Sequence, residues 1–421
     1  MEGEDRISEL PVGILDNILG YLPIQEAART AILSSFWKDI WFSLTKLNFG
    51  DGFFDYICLK YSNAEGWKSE SQSPILEVIN KILMRHNGPI QKIVINFSEQ
   101  VFAFHFSEEF DPWDIANLLS DNLNPWLLLL TQNGVEEIDI SCFTDTRCRV
   151  TNCLFSCPTL KRLKLDNISV ELINASCVLP NVTSLCLDNV DFKPRTCSDY
   201  VVYLPMLEDL SFGECEKIFD FDIVAPKLGR LKISLLECCY YYKTFGVLPP
   251  NLDLSSISSF DLSCSPCFFK IFVEELTRVG HAPALNFELL KLCVSSYTFV
   301  PENINNSAFI HLLRACPKLC ELDIWHLEYL KLNPEDFVLM EELSTVARTL
   351  KMLHTLKFSH FNGSRSEMLS IEVFLACFPG IKKVVIVRGW ICSDEDFKIM
   401  QKLLSSACAS TEAEIFYIQE S

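Results

Sequence analysis

The chain has 421 residues, 49% of them apolar, and a formal net charge of −19. This apolar content predicts a large folded core and excludes global disorder, and the length allows two or more domains of the usual ~100–200 residues. Nucleic acids and anionic membranes require clustered Lys and Arg, so the negative charge argues against both as partners.

The N-terminus lacks the basic start and apolar run of a signal peptide. The longest aliphatic run, Leu127–Leu130, is far shorter than the ~20 residues that span a bilayer. We therefore expect a cytoplasmic or nuclear protein in which most of the 19 cysteines are reduced and structural. Cys264 and Cys267 form a CxxC pair without a second pair or a histidine nearby, so we predict core thiols and no metal site.

Residues 5–49 predict three short helices. The first lies in ELPVGILDNILGYLP, where Leu-Pro pairs flank apolar residues at helical spacing, and the third carries Trp37 and Trp41. About 40 residues cannot bury a self-sufficient core, so the apolar stripe requires a second surface. That surface belongs either to another protein or to the repeats that follow in this chain.

Residues 50–73 predict a linker, because Gly, Ser and Pro recur in GDGFF, SNAEG and SESQSP. A Leu-x-x-Leu-x-Leu-like unit then repeats over residues 74–350. Clear copies include VEEIDIS from residue 135, LKRLKLDNI from 160, VTSLCLDNV from 182, LEDLSFGEC from 207 and LGRLKIS from 228, which begin 21 to 25 residues apart. This spacing is the leucine-rich-repeat period. Later copies are about 30 residues apart and carry longer outer segments.

The repeat predicts an α/β fold. In each short strand alternate side chains face opposite sides, so Leu163 and Leu165 are expected inside while Arg162 and Lys164 face outward on the inner curve. Repeats must stack, because one alone cannot bury its apolar face. We therefore predict a small three-helix N-terminal module followed by an irregular leucine-rich-repeat solenoid, a curved parallel sheet with outer helices or loops.

The N-terminal module resembles the F-box. The matching residues are Leu10-Pro11, Ile14-Leu15, Ile18-Leu19, Leu22-Pro23 and a later Trp37. The resemblance implies that the module binds a Skp-type adaptor, and through it a cullin. It implies adaptor contact by Leu10, Pro11, Ile14, Leu15, Ile18, Leu22, Pro23, Leu33 and Trp37.

Two positions depart from the F-box pattern. Val12-Gly13 stand where the family usually has an acidic pair, which removes ~0.3–1 kcal/mol of helix-dipole stabilisation. Ser35-Phe36 stand where the family usually has Lys-Arg, which weakens attraction to an acidic adaptor. We therefore expect the module to bind an adaptor more weakly than one with the usual residues.

The chain as a whole resembles the plant F-box/leucine-rich-repeat proteins. Residues 353–386 are similar to the FBD region that closes many of them, so we assign 351–421 to an FBD-like region continuing the solenoid. The resemblance implies a non-catalytic substrate-recognition subunit of an SCF-type (Skp–cullin–F-box) ubiquitin ligase. Two alternatives stay open, a binding scaffold without a ligase role and a small-molecule sensor of the same architecture.

The sequence carries no catalytic motif, no phosphate loop and no implied cofactor. His326 and His360 follow strands and are expected to be packed or solvated. Outward strand residues of alternating charge form a ladder that either pairs across strands and keeps the sheet soluble, or contacts an unknown target protein. The candidate target-binding residues are Arg162, Lys164, Asp209, Arg230, Lys232, Asp261, Asp323 and Lys357.

Overall fold

The computed structural model divides into two compact units, formed by residues 1–207 with 215–224 and by residues 208–214 with 225–421. We refer to them as unit 1 and unit 2. The structure describes residues 6–61, 74–97, 112–144, 146–172, 176–194, 200–215, 221–235, 248–249, 252–278, 285–295, 306–330, 332–389, 398 and 413–418.

The N-terminal module contains the three predicted helices, α1 (Val12–Gly20), α2 (Ile24–Thr30) and α3 (Ser35–Phe42). Pro11 and Pro23 precede α1 and α2 in an extended conformation, where a missing N–H costs no helical hydrogen bond. The sequence prediction of a small helical module is confirmed.

The first part of the predicted linker is a helix instead, α4 (Asp51–Tyr61). Phe53, Phe54 and Ile57 share its inner face and are buried. The Phe53 ring lies 5.2 Å from that of Phe49, centroid to centroid. Burial of these apolar side chains outweighs the glycine signal that suggested a linker. Residues 62–73, the rest of that segment, lie outside the described residues.

The remaining helices of unit 1 are α5 (Pro74–Arg85) and α6 (Pro112–Gln132). Its strands are β1 (Lys46–Phe49), β2 (Lys92–Phe97), β3 (Glu137–Cys142), β4 (Cys148–Thr151), β5 (Arg162–Asp166), β6 (Ile168–Leu172), β7 (Ser176–Val178), β8 (Ser184–Asp188), β9 (Asp191–Pro194), β10 (Tyr200–Tyr203) and β12 (Phe221–Val224). The unit is built around an inner parallel sheet in which β1, β2, β3, β5 and β8 are neighbours in that order. Two outer parallel sheets have the orders β4-β6-β9 and β7-β10-β12.

The inner strands alternate as predicted. Leu163 and Leu165 are buried, whereas Arg162 and Lys164 are exposed. After β5 the chain turns through Asn167 in the left-handed conformation, which asparagine tolerates better than most residues. Its side-chain amide donates hydrogen bonds to the carbonyls of Cys142 and Thr144 in the preceding repeat, so the turn also ties neighbouring repeats together.

Unit 2 continues the same repeat with helices outside. The helices are α7 (Pro266–Arg278), α8 (Asn306–Ala315), α9 (Phe337–Ala347) and α10 (Arg365–Cys377). The longer outer segments predicted for the later repeats thus hold helices. The strands are β11 (Asp209–Gly213), β13 (Arg230–Leu235), β14 (Ser259–Cys264), β15 (Leu289–Val294), β16 (Glu321–Trp325), β17 (Thr355–Phe361), β18 (Lys383–Arg388) and β19 (Glu414–Ile418). They form the inner parallel sheet of unit 2 in the order β11-β13-β14-β15-β16-β17-β18-β19.

A buried carboxylate holds the start of α10. Glu367 is fully buried and accepts hydrogen bonds from the backbone N–H groups of Asn362, at 3.1 Å, and Ser364, at 2.7 Å. The Ser364 hydroxyl in turn accepts from the Glu367 N–H, which completes a capping box.

The FBD assignment of residues 351–421 stays a prediction, but its described strands do extend the inner sheet.

We expect Glu367→Ala to lower the free energy of unfolding by about 1–3 kcal/mol, because two backbone donors lose their acceptor. Thermal unfolding of the full chain measures the change. Glu372→Ala, on an exposed position of the same helix, is the matched control and should have little effect. Equal melting temperatures for the two variants would contradict the capping role.

Candidate functional site

The helical module exposes a broad apolar surface. Ile14, Ile18 and Leu22 repeat every four residues along α1 and the turn after it, which places them on one side of the helix. Exposed apolar patches of this kind mark protein-binding surfaces. We define the outer apolar face of the module as its exposed large apolar side chains, Ile7, Val12, Ile14, Ile18, Tyr21, Leu22, Ile32, Leu33 and Phe36.

The opposite side of the module lies in the chain's own core. Leu15 and Trp37 are buried, and the Trp37 indole N–H donates a hydrogen bond to the Ser8 hydroxyl at 3.0 Å. Leu10 is half-buried. The remaining predicted adaptor residues, Pro11, Ile14, Ile18, Leu22, Pro23 and Leu33, are exposed. Leu15 and Trp37 are therefore placed to support the helices from inside, while the exposed six are open to a partner.

The module is also joined to the repeats. Its last segment, β1, is a strand of the inner sheet and pairs with β2, with Lys46 opposite Lys92. The Asp16 carboxylate of α1 accepts hydrogen bonds from the Thr45 N–H at 2.8 Å and from the Thr45 hydroxyl at 2.5 Å. The two alternatives for the apolar stripe thus both describe part of it, because one face packs within this chain while the outer face stays open.

The positions that depart from the F-box pattern lie on the open side. Val12 is 55% exposed, and a Cβ placed on Gly13 would meet no atom within 4 Å. The first turn of α1 contains no acidic residue and has no side-chain cap. Phe36 is partly exposed and its ring lies edge-on to that of Trp37, so it adds apolar surface where a cation would add charge.

Most of the candidate target-binding residues pair with an oppositely charged residue across inner strands. In unit 1 the Lys164 ammonium lies 3.2 Å from the Asp139 carboxylate, and Arg162 lies 3.8 Å from Glu137. In unit 2 both Asp209 oxygens accept hydrogen bonds from the Arg230 guanidinium. The geometry favours the cross-strand pairing interpretation, and target contact by these residues stays a prediction.

The other candidates lie along one row of unit 2. The Lys291 ammonium approaches the Asp261 carboxylate at 3.4 Å, and Lys357 approaches Asp323 at 2.9 Å. Lys232 is exposed and stands opposite Asp261 in the strand register. Fully exposed ion pairs contribute only ~0–1 kcal/mol. The Lys291–Asp261 pair is more buried than that, with side chains 30% and 21% exposed, and the Lys357–Asp323 pair contains the most buried carboxylate of the row.

Asp323 is the buried member of the row. Its side chain is 6% exposed, and one oxygen accepts from Lys357 while the other accepts from the Ser359 hydroxyl at 2.8 Å. A carboxylate removed from water and bonded on both oxygens is held by the fold. This geometry gives Asp323 a structural role.

His326 and His360 pack against each other, with ring centroids 4.5 Å apart. The backbone of each histidine is in the left-handed conformation, at or near the end of a strand. Their contact agrees with the expectation that these histidines are packed. Cys264 is a buried free thiol, as predicted, whereas Cys267 is disulfide-bonded, so the prediction of a core thiol at that position is wrong. Among the described residues no group of three or more potential metal ligands occurs. None of the described helices is long and apolar enough to cross a membrane.

Two aspartates stand side by side on the inner sheet of unit 1, Asp166 opposite Asp188. Partial burial, together with the nearby Asp188 charge, raises the pKa of Asp166 from 3.8 to about 6. Because this pKa is higher in the folded protein than in the unfolded chain, protonation of Asp166 stabilises the fold. The stabilisation is fully present at a pH below 3.8, the ordinary aspartate pKa. That stabilisation is lost as the pH rises through about 6.

We expect Asp166→Asn to raise the melting temperature above pH ~7, where the wild type carries the unfavourable charge, and to have little effect below pH ~4. A series of thermal unfolding curves across this range provides the measurement. Asp55→Asn, at an exposed position of α4, serves as the control. A difference between Asp166→Asn and wild type that does not change with pH would contradict the assignment.

Comparison with known proteins gives two family matches. The F-box domain matches residues 7–48. The repeats of the FBD-associated F-box protein At5g56370 match residues 123–287. F-box domains generally bind Skp-type adaptors, and F-box/leucine-rich-repeat proteins are generally non-catalytic.

Relatives from Arabidopsis thaliana share this architecture. The F-box/FBD/LRR-repeat protein At1g13570 is 25% identical over 445 residues, with both chains fully covered. The FBD-associated F-box protein At5g38590 is 28% identical over 72% of this chain and 64% of its own length. The putative F-box/FBD/LRR-repeat protein At5g44950 is 27% identical over 50% of this chain and 42% of its own length. With its helical module, its parallel repeat sheet and these matches, the chain is similar to the plant F-box/FBD/leucine-rich-repeat proteins.

Proposed function

We propose that the chain is the substrate-recognition subunit of an SCF-type ubiquitin ligase. The observation that carries this proposal is the outer apolar face, which lies on the segment matched by the F-box domain and stays exposed while the inner face packs in the core. A Skp-type adaptor covers this face and connects the chain to a cullin. The proposal places the protein in the cytoplasm or nucleus.

The chain itself carries out no chemistry in this proposal. The repeats hold a target protein, and the adaptor and cullin bring a ubiquitin-charged enzyme to it. Holding the target lysine near the thioester raises its effective concentration, which accelerates transfer without a catalytic residue in this subunit. The pairing of β1 with β2 supports this role, because it fixes the adaptor-binding helices to the first repeat strands.

One alternative is a scaffold without a ligase role. The Val12-Gly13 and Ser35-Phe36 departures favour it, because the first removes helix-dipole stabilisation from α1 and the second removes two cations that would attract an acidic adaptor. The apolar face would then bind a different protein. The two functions differ in whether cullin follows the chain through purification.

The proposal is tested by purifying the full chain together with a Skp-type adaptor and a cullin, using size-exclusion chromatography. We expect the chain and adaptor to elute as a 1:1 complex that also retains cullin. If the chain elutes alone at concentrations of about 10 µM, well above the Kd of tight standard-size interfaces, the ligase proposal is wrong and the scaffold is favoured. A chain–adaptor complex that excludes cullin would also contradict the ligase proposal.

A further inference from the structure

A polar cavity of about 380 Å³ lies beside the outer sheet β4-β6-β9 of unit 1. Arg149 of β4, Ser169 of β6 and Asp191 of β9 stand directly opposite one another in the strand register and all line it. Their neighbours Val150 and Val170 are buried on the other face of this sheet. The alternation of the three strands thus turns one polar row away from the core and into the cavity.

Arg147, Asn167 and Asn189 form a second polar row, each two residues before a member of the first row, and they also line the cavity. The Arg147 guanidinium donates hydrogen bonds to the backbone and side-chain oxygens of Asn189, at 3.0 Å and 2.6 Å. The Asn189 amide donates to the Asn167 side chain at 2.8 Å, and Asn167 donates onward to the Cys142 and Thr144 carbonyls. This chain of bonds fixes the Arg147 side chain before any ligand arrives, which lowers the entropy cost of binding.

The edge of β4 is held against α6. The Arg149 N–H donates to the Ser120 hydroxyl at 2.8 Å, and its guanidinium donates to the Asn117 side chain at 2.5 Å. At the start of the same helix Trp113 forms part of the cavity wall and is 58% exposed. The cavity therefore has a polar floor and one exposed aromatic side.

Ser169 gives an independent sign of a missing ligand. The residue is 1% exposed, and its hydroxyl has no hydrogen-bond partner among the described residues. A buried hydroxyl without a partner is unfavourable, because it has lost its hydrogen bonds to water. An acceptor atom in the cavity would relieve that cost, because the same side chain lines it.

We propose that this cavity binds the phosphate group of a small phosphate monoester. Among the described residues, two guanidiniums and one carboxylate line it, so this part of the lining is net positive in a chain of net charge −19. Guanidinium forks and a hydroxyl donor match a tetrahedral oxyanion. The Asp191 carboxylate disfavours polyanions, and the volume lies at the small end of ligand sites, which suits one phosphate and one ring. Trp113 offers that ring an apolar surface.

The inference is independent of the ligase proposal, and calorimetry on the full chain tests it. The probes are ribose 5-phosphate and O-phosphoserine, with ribose and serine as unphosphorylated controls. We expect a sub-millimolar Kd for at least one phosphorylated probe and no binding of the controls. Preference for ribose 5-phosphate indicates a metabolite as the natural source, and preference for O-phosphoserine indicates a phosphorylated side chain.

Variants locate the site. Arg149→Gln is expected to weaken binding about tenfold or more, since it removes a charge-assisted hydrogen bond to the phosphate. Ser169→Ala should weaken it less, and Lys161→Gln, an exposed cation elsewhere in unit 1, should leave it unchanged. A melting temperature close to that of wild type confirms that a variant is folded. If Arg149→Gln is not folded, Arg149→Lys is used in its place. Absence of binding at ~10 mM probe, or equal affinity in Arg149→Gln, overturns the proposal.

Discussion

Replacing Ile18 with aspartate is expected to lower the affinity of the chain for a Skp-type adaptor about tenfold or more, without lowering its melting temperature. Ile18 is exposed at the middle of the outer apolar face. A charge buried in an apolar interface loses its hydration and finds no partner there, and a loss of 1.4 kcal/mol already corresponds to tenfold.

The matched control is Met84→Asp, which introduces the same charge at an exposed apolar position of α5. Binding to immobilised adaptor is measured for wild type and both variants. Met84→Asp should bind like wild type. Equal affinity for Ile18→Asp and Met84→Asp would show that the outer apolar face is not the adaptor surface.

Leu15→Ala makes a useful contrast, because Leu15 is fully buried on the other side of the same helix. Truncating a buried leucine lowers stability by about 2–5 kcal/mol. Any loss of adaptor binding by Leu15→Ala should therefore accompany a lower melting temperature, whereas the loss in Ile18→Asp should not. The pair separates residues that support the helices from residues that touch the partner.

Asp323→Ala is expected to destabilise unit 2 by about 3 kcal/mol, because it leaves the Lys357 ammonium and the Ser359 hydroxyl without their acceptor. The lower end of the usual range applies, since the Lys357 side chain is 31% exposed and water partly replaces the lost carboxylate. Thermal or urea unfolding of the full chain measures the effect.

Lys232→Ala provides the comparison for Asp323→Ala. Lys232 is exposed on the same row of the inner sheet, so its loss should change stability by no more than about 0.5 kcal/mol. If Asp323→Ala melts like wild type, the carboxylate is not structural and its earlier assignment to the target surface regains support. If Asp323→Ala and Lys232→Ala both melt like wild type, neither side chain is needed for stability, and both are available for target binding.

The repeat strands and the three N-terminal helices could be predicted because their signals are local. Alternation puts Leu163 and Leu165 inside whatever the neighbouring repeats contain, and Leu-Pro pairs mark helix starts through the backbone of proline itself. The α4 helix could not be predicted in this way. Gly50, just before the helix, and Gly52, within it, signal a break, and the burial of Phe53 and Phe54 that opposes this signal depends on tertiary packing.

The candidate sites were harder to predict for a related reason. Helical spacing places Leu15 and Ile18 on a common stripe, but the side that faces the core is decided by β1 and the other helices. Pairing of Lys357 with Asp323 depends on strand register, which only the assembled sheet defines. The cavity was missed entirely, since Arg149, Ser169 and Asp191 meet only through outer strands that the repeat pattern does not signal.

Amide hydrogen exchange of the full chain, with and without a saturating Skp-type adaptor, tests the central claim most directly. We expect adaptor to slow exchange in residues 11–23 and 31–36, which carry most of the outer apolar face, and to leave the inner strands of both units unchanged. Slower exchange on the inner strands, or no change in the helical module, would contradict the assignment of that face to the adaptor.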